Sequence, residues 1–379
     1  MSEHARLKAV SNTPAENNPP AQATGAAEKQ EIEYSVSAGL PARLAKLNVS
    51  FAFTSYQSNI LYLVGRNGRG GINIHQSAMS KPMGLYRDAE GGELILSGGY
   101  QIMRLQNVLE PSQRINQQFD GCYVPRTVHT TGQLDAHDVG VEKSGRVLFV
   151  NTRFNCIATV SDRHSFEPVW RPPFISALVD EDRCHLNGMA MENGEARYAT
   201  AVSASDTIDG WRDRRRDGGI VMDIQSNKIL CRGLSMPHSP RVHNGELWIL
   251  NSGTGDLGVV VPAPGGESEG HFEARAFCPG FVRGLAFAGD FAFVGLSKPR
   301  YKRFEGLDLD ARLKTVDSDP WCGIQIIQLS TGTCVDWLRI DGKLAELYDL
   351  EVIPGVVAPM AVPPESKEAA QLITYAGMT

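Results

Sequence analysis

Several features that would announce a function are missing from these 379 residues. No stretch approaches the roughly 18 consecutive apolar residues of a membrane span. The opening "MSEHARLKAVSNTPAENNPPAQATGAAEKQ" lacks the apolar core of a secretory signal. Seven cysteines are an odd number at wide spacing, with no CxxC pair and so no disulfide framework. A formal net charge of −6 provides no basic field for nucleic acid. There is no P-loop, nucleophile elbow or HExxH, and "GLDLDARL" has too few ligands for a calcium loop. The expectation is a reduced, cytoplasmic protein that spans no membrane and binds no nucleic acid.

One familiar pattern is present. "NSGTGDLGVVV" holds Gly253-x-Gly255-x-x-Gly258, on paper the dinucleotide fingerprint. That fingerprint needs a strand before the glycines and a helix after them, to seat pyrophosphate on the helix N-terminus. "GELWIL" before them suits a strand. The following "LGVVVPAPGG", β-branched and closed by prolines and glycines, cannot be an amphipathic helix. The glycines are therefore expected in a turn between two strands.

The rest of the chain is strand-like and repeats. Residues 1–36, rich in Ala, Pro, Asn, Glu and Gln, read as a disordered lead-in, and "SAGLPARLAKLN" reads as a short helix. After it, apolar runs alternate with Gly, Asn, Asp and Ser turns. Units open near Met83, Asp138, Asn187, Ser239, Arg283 and Asp349, at intervals of about 44 to 66 residues. The sixth unit runs out after one strand. Its missing strands are supplied by "SFAFTSYQSNILYLVGRNGRGGINI", residues 50–74, because "FTSYQSNILYLV" parallels "VNTRFNCIATV". The expected fold is all-β: one six-bladed β-propeller over residues 37–360, closed by N- and C-terminal strands of one shared blade. Residues 361–379 are expected to pack on or close the last blade.

In such a blade the start of the first strand and the end of the second share one rim. There the sequence places histidines, carboxylates and cations. His137, His185 and His238 are candidate ligands for a divalent metal at the channel mouth. His137, Asp138, His238 and Asp349 are candidate acid–base groups. Tyr56, Gln57, Arg126, Arg153, Asn187, Arg241, Arg283, Lys298, Arg300 and Tyr348 are candidate ligand-binding residues, the arginines suited to an anion. Two long insertions, residues 203–219 and 297–323, leave from the same rim. The alternative for each is structural: imidazoles capping strands, and arginines paired with Asp182, Asp206 or Asp213.

The segments "TSYQ", "YVPR", "HDVGV", "FVNTRFNC", "WRPPFISAL", "DRCHLNGMA", "MPHSPR", "LNSGTGDLG", "PGFVRGLAF", "VGLSKPR" and "ELYDLEVIPG" resemble, in this order, a bacterial family of conserved hypothetical proteins. That family is catalogued as a domain of unknown function, and the resemblance covers residues ~37–360. It implies a six-bladed propeller and no named activity. More distantly, the architecture is similar to propellers of the gluconolactonase and strictosidine-synthase types. This implies a ligand, and for the lactonases a divalent metal, at the channel mouth. Two functions follow as expectations. One is an enzyme acting on a small anionic or carbonyl-containing metabolite by hydrolysis, elimination or isomerisation. The other is a non-catalytic module that binds a peptide or protein through rim aromatics such as Tyr301, Phe304, Trp211 and Trp321.

Overall fold

The computed structural model describes residues 32–88, 92–266, 269–299 and 304–376. Residues 1–31 of the expected lead-in, together with Arg300 and Tyr301, lie outside the described residues. At the end of the expected lead-in, Glu33–Val36 form a strand.

Six antiparallel sheets form the blades of a β-propeller. From the channel outward, blade one comprises Pro82–Arg87, Leu94–Gly98, Gln101–Asn107 and Gly121–Thr130. Blade two comprises Ala136–Val141, Val147–Asn151, Cys156–Thr159 and Glu167–Trp170. Blade three comprises Leu186–Glu192, Glu195–Ala201, Gly219–Asp223 and Ile229–Leu234. Blade four comprises Pro237–His243, Glu246–Asn251, Asp256–Val261 and His271–Phe277. Blade five comprises Phe281–Ala288, Phe291–Ser297, Cys322–Gln328 and Thr333–Asp341.

Blade six is the shared one. Leu350–Pro354 is its channel strand, and Val49–Ser55, Ile60–Arg66 and Ile72–Ala78 complete it. The termini also reach the neighbouring blades. Glu33–Val36 adds to the outer edge of blade five. Pro359–Ala361 adds in parallel to the outer strand of blade one. Between them the helix Leu40–Leu47 buries Leu40 and Leu44 on one face and ends at Asn48 in the left-handed region.

The second strands read as nearly continuous apolar runs because blades cover them on both faces. Leu94–Gly98 and Val147–Asn151 are buried at every position. Between blades five and six, Phe51, Phe53, Tyr62 and Phe293 are fully buried, with Phe53 stacked on Tyr62 at 4.6 Å.

Hydroxyls latch successive blades. Thr54 donates to Met83 O at 2.6 Å, Ser97 to Ala136 O at 2.7 Å and Thr152 to Leu186 O at 2.6 Å. Ser252 donates to Val282 O at 2.6 Å and Ser297 to Leu347 O at 3.2 Å. Each joins the end of one second strand to the channel segment of the next blade.

"NSGTGD" is a turn of this kind. Gly255 has φ +77, and strand Asp256–Val261 follows it where a nucleotide site needs a helix. Gly258 lies in that strand, and a Cβ there would meet Glu273 O at 2.3 Å. Its glycines serve chain geometry.

Candidate functional site

A cavity of about 1050 Å3 opens at one end of the channel. All six blades contribute to it: Tyr56, Met83, His137, His185, Met236, Arg283 and Tyr348 are among the lining residues. Residues at the entry to the channel strands are turned into it by an unusual backbone. Lys81, Asp135, His185 and Met236 each immediately precede a channel strand, and each has a left-handed φ, between +42 and +55. Non-glycine residues pay for that conformation, and such strain collects at sites. The repeat aligns His185 with Asp135 and Met236, two positions ahead of the His137 and His238 slot. The equivalence drawn from sequence, which put Met83 with Asp138, slips by one for this reason.

The imidazoles differ in their surroundings. His137 Nδ1 lies 2.7 Å from Asp135 O, and His238 Nδ1 lies 2.8 Å from Met236 O. A carbonyl only accepts, so both rings carry the proton on Nδ1 and present Nε2 as a lone pair. His185 Nδ1 lies 2.6 Å from Asp182 Oδ2. The His185 ring stands edge-on to His137 at 4.9 Å and stacks on Trp211 at 4.1 Å. Burial, and next the His185 ring beside it, push His137 below the ordinary histidine value. Burial, and next the Arg283 guanidinium, push His238 well below it.

Arg283 is one of the cationic side chains that line the cavity, with Lys81, Arg212, Arg215 and Lys298. Its guanidinium lies over Phe281 at 4.9 Å and Tyr348 at 5.2 Å. Among the described residues no carboxylate reaches it, and its Nε is buried without a partner. Tyr348 Oη, His238 Nε2 and Trp211 Nε1 are likewise buried and unpartnered. Arg283, Tyr348 and Trp211 line the cavity while His238 does not, and an unmet buried group costs about 1–3 kcal/mol.

Other sequence candidates lie elsewhere. Asp138 and Asp349 are buried and do not line the cavity. Asp138 accepts from Val139 N and from Met189 N of the next blade, and Asp349 from Leu350 N and from Leu85 N of blade one. Arg241 pairs with Asp138 at 2.9 Å and Asp349 at 3.4 Å. The three form a stay across the channel. Burial would lower the Arg241 value, but the two carboxylates beside it raise it. Burial raises Asp349 and pushes its neighbour Glu351 up to about 8.

Asn187 is buried against Thr200 at 2.8 Å. Gln57 accepts from Ala345 N and Glu346 N. Arg153 pairs with exposed Asp180. Arg126 sits on an outer strand and donates to Leu372 O, so it is not a rim residue. Tyr56 lines the cavity and donates to Glu346 Oε2 at 2.7 Å, and Lys298 lines it too. Arg300 is outside the described residues.

Among the described residues no three His, Cys, Asp or Glu side chains are disposed to hold one ion, His137, His185 and His238 included. Asp182 and Trp211 are the residues that sequence reasoning undervalued. Asp182 stands three residues before His185, a spacing that was legible in "DRCH".

The similar solved structures are distant. Virginiamycin B lyase from Staphylococcus aureus is 11% identical, with a TM-score of 0.40 over 83% of this chain and 93% of that one. A chain of the nidogen/laminin complex is 10% identical, with a TM-score of 0.47 over 81% and 98%. A putative gluconolactonase is 11% identical, with a TM-score of 0.40 over 70% and 89%. No curated protein matches the chain. A family model described as Domain of unknown function (DUF4915) matches residues 38–362, and the chain belongs to that family.

Proposed function

We propose that this propeller is an enzyme that moves a proton on an anionic or carbonyl-containing ligand, by elimination or isomerisation. The observation that carries the reading is Arg283, whose Nε is buried without a partner, with the buried Tyr348 hydroxyl beside it, in one cavity with the His137 and His185 imidazoles.

His185 is the base. Asp182 on its Nδ1 stabilises the imidazolium that forms when Nε2 takes the proton, and fixes the ring's tautomer. His137 stays neutral and accepts a hydrogen bond from the ligand. Arg283 and Tyr348 neutralise the oxygen on which negative charge develops. Ser297, the hydroxyl lining the cavity near Lys298, is committed to Leu347 O and Leu347 N. That commitment disfavours nucleophilic hydrolysis.

The binding-module reading needs open aromatics at the rim. Trp211 and Phe304 are 7% and 9% exposed, which favours an enclosed ligand. Proton abstraction is measured directly as hydrogen–deuterium exchange by NMR in heavy water, over keto-, hydroxy- and aromatic carboxylates. Exchange is expected with the wild type and reduced about 10²–10⁴-fold in His185→Gln and Asp182→Asn. No exchange with any of these compounds would overturn the reading.

A further inference from the structure

The cavity is larger than a bare carboxylate needs. At about 1050 Å3 it stands at the top of the range that encloses drug-sized ligands. Its polar groups adjoin a contiguous apolar wall of Trp211, Met236, Phe281, Phe304 and Leu307.

Three of these five side chains come from the two rim insertions, and Met236 and Phe281 from the entries to the channel strands of blades four and five. The blade-three insertion brings Trp211, and the blade-five insertion brings Phe304, Leu307 and the helix Leu309–Thr315. The two are braced against each other by Arg216–Asp308 at 2.9 Å. The blade-five insertion is also braced on blade four, where Leu309 N donates to Gly253 O at 2.9 Å and Arg312 pairs with Asp256. The insertions therefore hold a packed surface in place against the cavity. A small hydrophilic metabolite would leave the cavity-facing edges of these side chains against water, which is unfavourable in proportion to their area. Aromatic rings beside a guanidinium also suit a flat, electron-rich body.

We infer that the ligand is amphipathic, an oxyanion such as a carboxylate held by Arg283 and joined to an aromatic body of one or two rings against Trp211, Phe281 and Phe304. The anionic head rests on the functional reading above, and the aromatic body rests on the insertions. Phe304 and Trp211 then determine specificity.

Titration calorimetry with acetate, benzoate, 2-naphthoate and 2-naphthalenemethanol separates the two parts. Affinity is expected to rise with each ring, 2-naphthoate binding at least about tenfold tighter than acetate. It is also expected to bind about tenfold tighter than the neutral alcohol. Phe304→Ala is expected to weaken 2-naphthoate about fivefold or more and to leave acetate unchanged. The ligand series on the unaltered protein stands whether or not that variant folds. Equal affinity for acetate and 2-naphthoate would overturn the aromatic body and leave the anionic head. Equal affinity for 2-naphthoate and its alcohol would overturn the head, and with it the functional reading, while leaving the apolar wall. Failure of all four to bind would overturn both.

Discussion

His137 and His185 are near neighbours, yet only one is equipped to take a proton. Adjacent residues of a strand point to opposite sides, so Asp138 cannot serve His137. It turns down the channel to Arg241, as Asp349 does beside Tyr348. The carboxylate that serves an imidazole is Asp182, brought back by the left-handed turn at His185. The sequence therefore showed which residues are polar at the rim and could not show their partners. Side-chain direction at a bulged, left-handed strand entry is not periodic.

Burial of His137 and His238 has a consequence for stability. Both are held neutral when folded, so an unfolded chain binds protons that the folded chain does not. Their contribution is complete above the ordinary value near 6.5 and is lost as pH falls below it, at up to about 1.4 kcal/mol per pH unit for each proton. Urea denaturation at pH 7.5 and pH 5 should show the wild type losing stability on acidification. His137→Asn should lose less. An equal loss in both would mean that His137 does not titrate on unfolding.

The elements repeat more faithfully than the residues do. Five of the six second strands end in a hydroxyl that donates to the next blade, in "FTSY", "LSGG", "VNTR", "LNSG" and "GLSK". Blade three has no such latch among its described residues, and it is the blade whose second strand leads into the 203–219 insertion. The six strand starts were legible because Gly, Asn and Asp turns recur between apolar runs. The outer strands were less so, because Glu167–Trp170 and His271–Phe277 are mostly exposed and carry little apolar signal. Thr152→Val keeps the shape and removes the donor to Leu186 O. It should cost about 1–2 kcal/mol in urea denaturation. A change under a few tenths of a kcal/mol would show that the latch adds nothing to blade packing.

At the scale of the whole molecule, the ring is closed by pieces from both ends of the chain. Leu350–Pro354 pairs with Val49–Ser55, Glu33–Val36 caps blade five, and Pro359–Ala361 caps blade one. The shared blade was readable because both fragments kept the blade grammar. The two edge caps were not, since three- and four-residue strands carry no period. Closure matters because an open ring leaves a strand edge and its apolar faces to water. Removing residues 347–379 would strip Val49–Ser55 of its channel-side partner and uncover Phe51 and Phe53, both fully buried. It would also remove Asp349, and with it one carboxylate of the Arg241 stay. Removing only residues 364–379 deletes a helix with no buried residue and spares both pairings. The shorter deletion should keep a cooperative thermal transition, within about 1 kcal/mol of wild type. The longer one should abolish it and leave aggregating protein. A cooperative transition in the longer deletion would mean that five blades hold together without closure.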